Sequence, residues 1–129
     1  MDNRTDNSQR ELYSRLINKT EDFVERHLKD PIALCDLARH AHLSDFHFHR
    51  LFKTYTSETV NEFVTRFKLE RAAIFLCLNP HLSVTAIAME YGYNDSSSFS
   101  RSFKKQFGVS PLKFRKQQDL SRNNHWIIG

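Results

Sequence analysis

Six basic side chains, Arg101, Lys104, Lys105, Lys113, Arg115 and Lys116, occur with no acid anywhere between Phe99 and Gln118. A block of this kind suits a polyanion. Arg50 and Lys53 show the same three-residue spacing as Arg101 and Lys104. A guanidinium can bond N7 and O6 of guanine together, worth about 1–3 kcal/mol of discrimination between base pairs. Arg50 and Arg101 are therefore candidate base readers. Ser96, Ser97 and Ser98 precede Arg101, while Phe46 and His49 precede Arg50. Hydroxyl and imidazole groups can bond base edges, and an outward aromatic ring can pack on a thymine methyl or a sugar. Lys53, Lys104 and Lys105, with Ser44 and His47, are candidates for phosphate contacts, which position a protein without reading sequence. Plainer roles stand beside these. The arginines can pair with phosphates or surface carboxylates, the serines can simply extend a helix cap, Phe46 can pack between lobes, and the basic block can be a solvated face.

Other chemistry is poorly represented. At 129 residues the chain holds one domain or two very small ones, and 19 Lys and Arg against 15 Asp and Glu leave a modest +4. The three glycines, Gly92, Gly108 and Gly129, are too scattered for a nucleotide-cradling loop, and no nucleophile–base or paired-carboxylate pattern is present. Enzymatic function is not expected, and no cofactor is implied. His47 and His49 are two apart, so on a helix they point about 200° from each other and cannot chelate one ion. No metal site is expected from them with His42 and Cys35. Protonation of His49 near pH 6 would add a DNA contact, since an unperturbed imidazole titrates near 6.5. Cys35 and Cys77 lie in apolar helical contexts and read as reduced core thiols of a cytosolic protein. No apolar run approaches the roughly 20 residues of a membrane span.

The elements that would position these groups follow from periodicity and caps. Residues 1 to 7 are polar and expected to be disordered, and Ser8 with Glu11 fits a capping box for a first helix to about Leu28. Asp30-Pro31 stops it. A second helix, about Ala33 to Ala41, is expected to bury Leu34, Leu37 and Ala38, with Cys35 also facing inward. Ser44 caps a third, to about Tyr55, with Phe48, Leu51, Phe52 and Tyr55 on one face and Phe46, His47, Arg50 and Lys53 on the other. Thr59 with Glu62 opens a long helix whose inward set reads Val60, Phe63, Val64, Phe67, Ala72, Ile74, Phe75 and Leu78. Ser83 caps a short helix, Gly92 supplies a turn, and Asp95 caps a helix from about Ser96 to Phe107. Its inner face carries Phe99, Ser102, Phe103 and Phe107. Ser110-Pro111 begins the last helix.

Two of these segments repeat. Leu37-Ala38 aligns with Ile87-Ala88 at an offset of 50, and Phe48, Arg50, Phe52, Lys53 and Phe63 align with Phe99, Arg101, Phe103, Lys104 and Phe114 at an offset of 51. One residue is gained near the turn. The pattern is two helix-turn-helix units joined by a helix from Asn61 to Leu78, about 27 Å long. Held rigidly, two such units can enter successive major grooves, about 34 Å apart, from one chain.

The string IAMEYGYNDSSSFSRSFKKQFGVSPLKFR, together with DLARHAHLSDFHFHRLFK and FKLERA, resembles the AraC/XylS family of transcription regulators over about Pro31 to Lys116. The resemblance implies an all-α, two-lobed fold of about seven helices, and the helices read above divide the chain into a first lobe over 8–60, a linker helix over 61–78, a second lobe over 79–117 and a tail over 118–129. It implies asymmetric double-stranded DNA sites and activation beside RNA polymerase. Specificity would come from Phe46, His49 and Arg50 in one recognition helix and Ser96, Ser97, Ser98 and Arg101 in the other. With both units in one chain, a monomer on DNA is expected, in the bacterial cytoplasm and associated with the nucleoid. The chain resembles the short stand-alone members, with the excised C-terminal domain of a longer regulator as the alternative. His42 departs from the usual Gly in the first turn, and Ser57 stands where the second unit has Gly108. Serines also replace longer polar side chains in the second recognition helix. A protein-interaction module and a non-specific nucleic-acid binder remain as alternatives.

Overall fold

A computed structural model describes residues 3–118, the side chains from Ser8 onward, and contains seven helices and no strand among those residues. They are α1 (Asn3–Arg26), α2 (Leu34–His40), α3 (Asp45–Tyr55), α4 (Val60–Leu78), α5 (Val84–Glu90), α6 (Ser96–Phe107) and α7 (residues 111–118). Trp126 to Ile128 lie outside the described residues.

Most helix starts follow the side-chain caps. Ser44 accepts from the His47 N–H, Thr59 from Glu62 N–H, Ser83 from Ala86 N–H and Asp95 from Ser98 N–H. Each satisfies an amide that the first turn leaves unpaired. The start of α1 is different. It lies at Asn3, so residues 3–7 are helical and Ser8 sits inside the helix. No glycine or proline interrupts this polar stretch, and nothing in it stops a helix from extending upstream.

The chain forms two compact units. Among the described residues, one comprises residues 3–27 and Pro31–Phe67; the other comprises Leu28–Asp30 and residues 68–118. The first is built on contacts among α1, α2 and α3. Its core is Leu16, Val24, Leu37, Ala38, Phe48, Leu51, Phe52, Phe63, Val64 and Phe67. Phe52 meets Phe63 edge to face at 5.5 Å, a favoured aromatic geometry. Arg66 grips Glu58 with two hydrogen bonds, of 2.8 and 2.9 Å, which pins the loop leading into α4.

In the second unit Leu69, Ala72, Ala73 and Leu76 of α4 pack with Ile87, Ala88, Tyr91, Phe99 and Phe103. Here the sequence expectation needs correction: Ile74 and Leu78 are 53% and 67% exposed. The second half of α4 is apolar nearly all round, so periodicity does not choose a face. The inward stripe is the i, i+3, i+4, i+7 set at 69, 72, 73 and 76. Cys35 is also corrected, from core to exposed, because it lies about 200° around α2 from the buried Leu37.

The three residues Leu28–Asp30 are pinned to the second unit at several points. Lys68 donates to the Asp30 carbonyl at 2.8 Å, and Lys29 lies 3.6 Å from Glu90. A Cβ on Gly92 would come within 2.8 Å of the Lys29 carbonyl oxygen, so only glycine fits against this backbone.

Candidate nucleic-acid interface

Each unit contains a helix, a tight turn and a second, more exposed helix, and the two turns are built alike. His42 has φ 60° and Gly92 has φ 85°, both left-handed. Leu43 N–H donates to the Ala38 carbonyl at 2.9 Å, and Tyr93 N–H to the Ala88 carbonyl at 3.0 Å. This six-to-one bond across a left-handed residue closes a helix C-terminus in both units. His42 thus occupies the conformation that glycine takes at position 92 of the second unit, at a steric cost that histidine bears better than most residues. The residue gained in the second unit falls after this bond, where Tyr93-Asn94 leads to the Asp95 cap and Leu43 alone leads to Ser44.

The outer face of α3 carries Phe46, His47, His49, Arg50 and Lys53, all exposed, above a buried Phe48, Leu51 and Phe52. Phe46 is 74% exposed. Among the described residues the Arg50 guanidinium is engaged by no hydrogen bond or ion pair, and the helix carries no acid after Asp45. On α6, Ser97, Arg101, Lys104 and Lys105 are exposed while Phe99 and Phe103 are buried. Ser96 and Ser98 are half-buried. Lys53, Lys104 and Lys105 sit in the last turns of their helices. The structure therefore gathers Phe46, His47, His49, Arg50 and Lys53 on one helix face, beside the cap Ser44, and the serines, Arg101 and the lysines on the other.

The start of α6 has an internal order that neighbouring residues alone do not convey. Asp95 Oδ1 accepts the Ser98 N–H at 2.7 Å, and its Oδ2 accepts the Ser98 hydroxyl at 3.3 Å. These bonds to Ser98, backbone first, hold the Asp95 carboxyl below its ordinary range, with the Arg101 charge a smaller contribution. The Ser98 hydroxyl in turn accepts from Arg101 Nη2 at 3.4 Å. Carboxylate, hydroxyl and guanidinium at i, i+3 and i+6 is the sequence signal for this chain.

One member of the basic block does not belong to the outer face. Arg115 is half-buried, and its guanidinium donates to the carbonyls of Leu76 at 3.2 Å, Asn79 at 3.3 Å and Leu82 at 2.9 Å. These are acceptors at and beyond the end of α4, where the helix dipole also favours a cation. Helices α3 and α6 also end differently. Gly108, at φ 81°, closes α6, whereas α3 ends at Thr56 with extended backbone. Ser57 therefore need not adopt the left-handed conformation of Gly108. No group of three or more His, Cys, Asp or Glu side chains is placed to hold a metal ion among the described residues. No described helix is long and apolar enough to cross a membrane.

Two repeated helix-turn-helix units, each with an arginine on the open face of its second helix, define a tandem helix-turn-helix protein. A family described as a helix-turn-helix domain, of the AraC type, matches residues 37–117. The chain is 32% identical over 103 residues to the regulatory protein PocR of Salmonella typhimurium, covering 80% of this chain and 33% of that protein. It is 30% identical over 101 residues to the Msm operon regulatory protein of Streptococcus mutans, covering 78% and 36%. It spans about a third of the length of these curated relatives. The DNA-binding domain of AdpA, a global transcriptional factor solved in complex with a target DNA, superposes with a TM-score of 0.70 at 22% identity, covering 82% of this chain and 95% of that one. The chain belongs to the AraC/XylS family of DNA-binding transcription regulators.

Proposed function

We propose that the chain binds asymmetric duplex sites as a monomer, with α3 and α6 in successive major grooves, and activates transcription in contact with RNA polymerase. The bacterial cytoplasm is the compartment this implies. Arg50 and Arg101 read guanines, Phe46 and His49 flank the first reader, and Ser96 and Ser97 flank the second. Lys53, Lys104 and Lys105, with Ser44 and His47, hold phosphates. The observation that carries the reading is the repeat itself: the same turn, cap position and outward arginine recur in two units of one chain. Most helix-turn-helix proteins obtain two recognition helices by dimerising. The domain of AdpA in complex with a target DNA, similar in fold, supports DNA as the partner.

Selection of bound duplexes from a random pool tests this. The expected result is one asymmetric motif with two short blocks about ten base pairs apart, one helical turn. A single block would restrict base reading to one unit. No enrichment, with binding to an acidic protein surface instead, would replace the reading with an interaction module.

A further inference from the structure

We propose that Asp95 and Ser98 are positioning residues for Arg101, holding its guanidinium along the first turns of α6 so that it meets DNA already aimed. The inference rests on the base-reading role proposed above for Arg101. Its basis is the directional chain just described. Asp95 Oδ2 accepts a hydrogen bond from the Ser98 hydroxyl at 3.3 Å, which leaves that oxygen's lone pairs to accept from Arg101 Nη2 at 3.4 Å. Helix side chains lean toward the N-terminus, so a residue three positions after Ser98 reaches back over it. Arg101 is otherwise exposed and, among the described residues, bonded to no other side chain. A long free side chain loses most entropy when DNA immobilises it, and holding it beforehand lowers that cost.

The first unit lacks this device, which makes it a property of the second. By the repeat, Ser44 stands at the position of Asp95, His47 at that of Ser98 and Arg50 at that of Arg101. Ser44 is a neutral cap spent on the His47 N–H at 3.1 Å, and Arg50 is untethered among the described residues. The short serine at position 98 also finds its explanation here. Its hydroxyl works within the protein, between a carboxylate and a guanidinium, and has no need of length to reach a base.

The test uses the full chain, a duplex chosen by selection and a set of duplexes carrying every single base-pair change. Ser98→Ala removes the tether and keeps the backbone N–H that Asp95 caps. Asp95→Asn keeps a good helix cap, but its amide donates to Ser98 and competes with Arg101. Each variant is expected to lose about three- to tenfold of the discrimination at the base pair that Arg101 reads, the factor that immobilising one flexible side chain costs. Discrimination elsewhere is expected to stay unchanged in both variants, and melting temperature to stay unchanged in Ser98→Ala, whose cap on the backbone N–H is kept. Ser98→Thr, which keeps the hydroxyl, restores the wild-type profile. Neither tether variant loses further discrimination when combined with Arg101→Ala. Unchanged discrimination in Ser98→Ala overturns the proposal. So does a loss that persists beside Arg101→Ala, which would make Ser98 itself a DNA contact, or one spread over all positions together with a lower melting temperature. If Arg101→Ala alone leaves the profile intact, it is the base-reading assignment that fails.

Discussion

Arg50 and Arg101 occupy the same place in two copies of one motif, yet their surroundings differ, and single residues are where that difference is measured. Arg101→Ala is expected to weaken binding to the selected duplex by about 1–3 kcal/mol and to relax preference at one base pair. Lys104→Ala, in the last turn of the same helix, is expected to weaken all duplexes alike. Titrations of both variants against selected and scrambled duplexes check this, and the opposite pattern would exchange the two roles. His42 gives a second residue-level prediction. Its φ of 60° is sterically costly for a side chain with a Cβ. His42→Gly is expected to stabilise the protein by about 0.5–1 kcal/mol in urea unfolding. A loss of stability would mean that the exposed imidazole contributes more than the strain costs. The outward character of Phe46, Arg50 and Arg101 was legible from helical spacing. The role of Arg115 was not, because charge in a sequence does not reveal which carbonyls lie within reach of a guanidinium.

At the scale of elements, caps were the most legible feature. Ser44, Thr59, Ser83 and Asp95 all begin helices, since one side-chain oxygen and one amide three residues on make a local contract with little tertiary interference. The face of α4 was less legible, because a helix apolar on most sides is oriented by what packs on it. Phe103, fully buried and in contact with the Phe99, Phe107 and Phe114 rings, carries much of the second unit. Phe103→Ala is expected to cost about 3–5 kcal/mol of unfolding free energy. The Asp95 cap makes a pH prediction. Its carboxyl titrates below the ordinary range in the folded state, so its contribution is present above about pH 4 and is lost as pH falls through the folded value. The melting-temperature difference between wild type and Asp95→Asn is therefore expected to shift against the wild type as pH drops from about 5 to 3. A difference that does not change across that range would show that the Ser98 bonds do not favour the charged form.

For the whole molecule, the proposed docking uses about six to eight phosphate contacts from two helix faces. The logarithm of affinity should then fall with the logarithm of salt at a slope of about −5 to −7. A slope near zero in binding isotherms between 50 and 300 mM salt, about the range where such contacts respond, would refute electrostatic docking. The two-unit architecture was legible as an internal repeat, but the division between the units was not. It passes through α4 after Phe67, and it assigns Leu28–Asp30 to the second unit although Pro31–Phe67, which follow directly in sequence, belong to the first. Three residues in an undistinguished turn give no periodic signal of where they pack. Their placement has a consequence for how such a protein can be recombined. The second unit is encoded in two separate stretches, with the whole of α2 and α3 between them. An exchange of second units between relatives at a single crossover in α4 would bring in a new α5 and α6 but leave behind the strap against which Gly92 is fitted. A graft that works must carry the short upstream piece as well as the long downstream one.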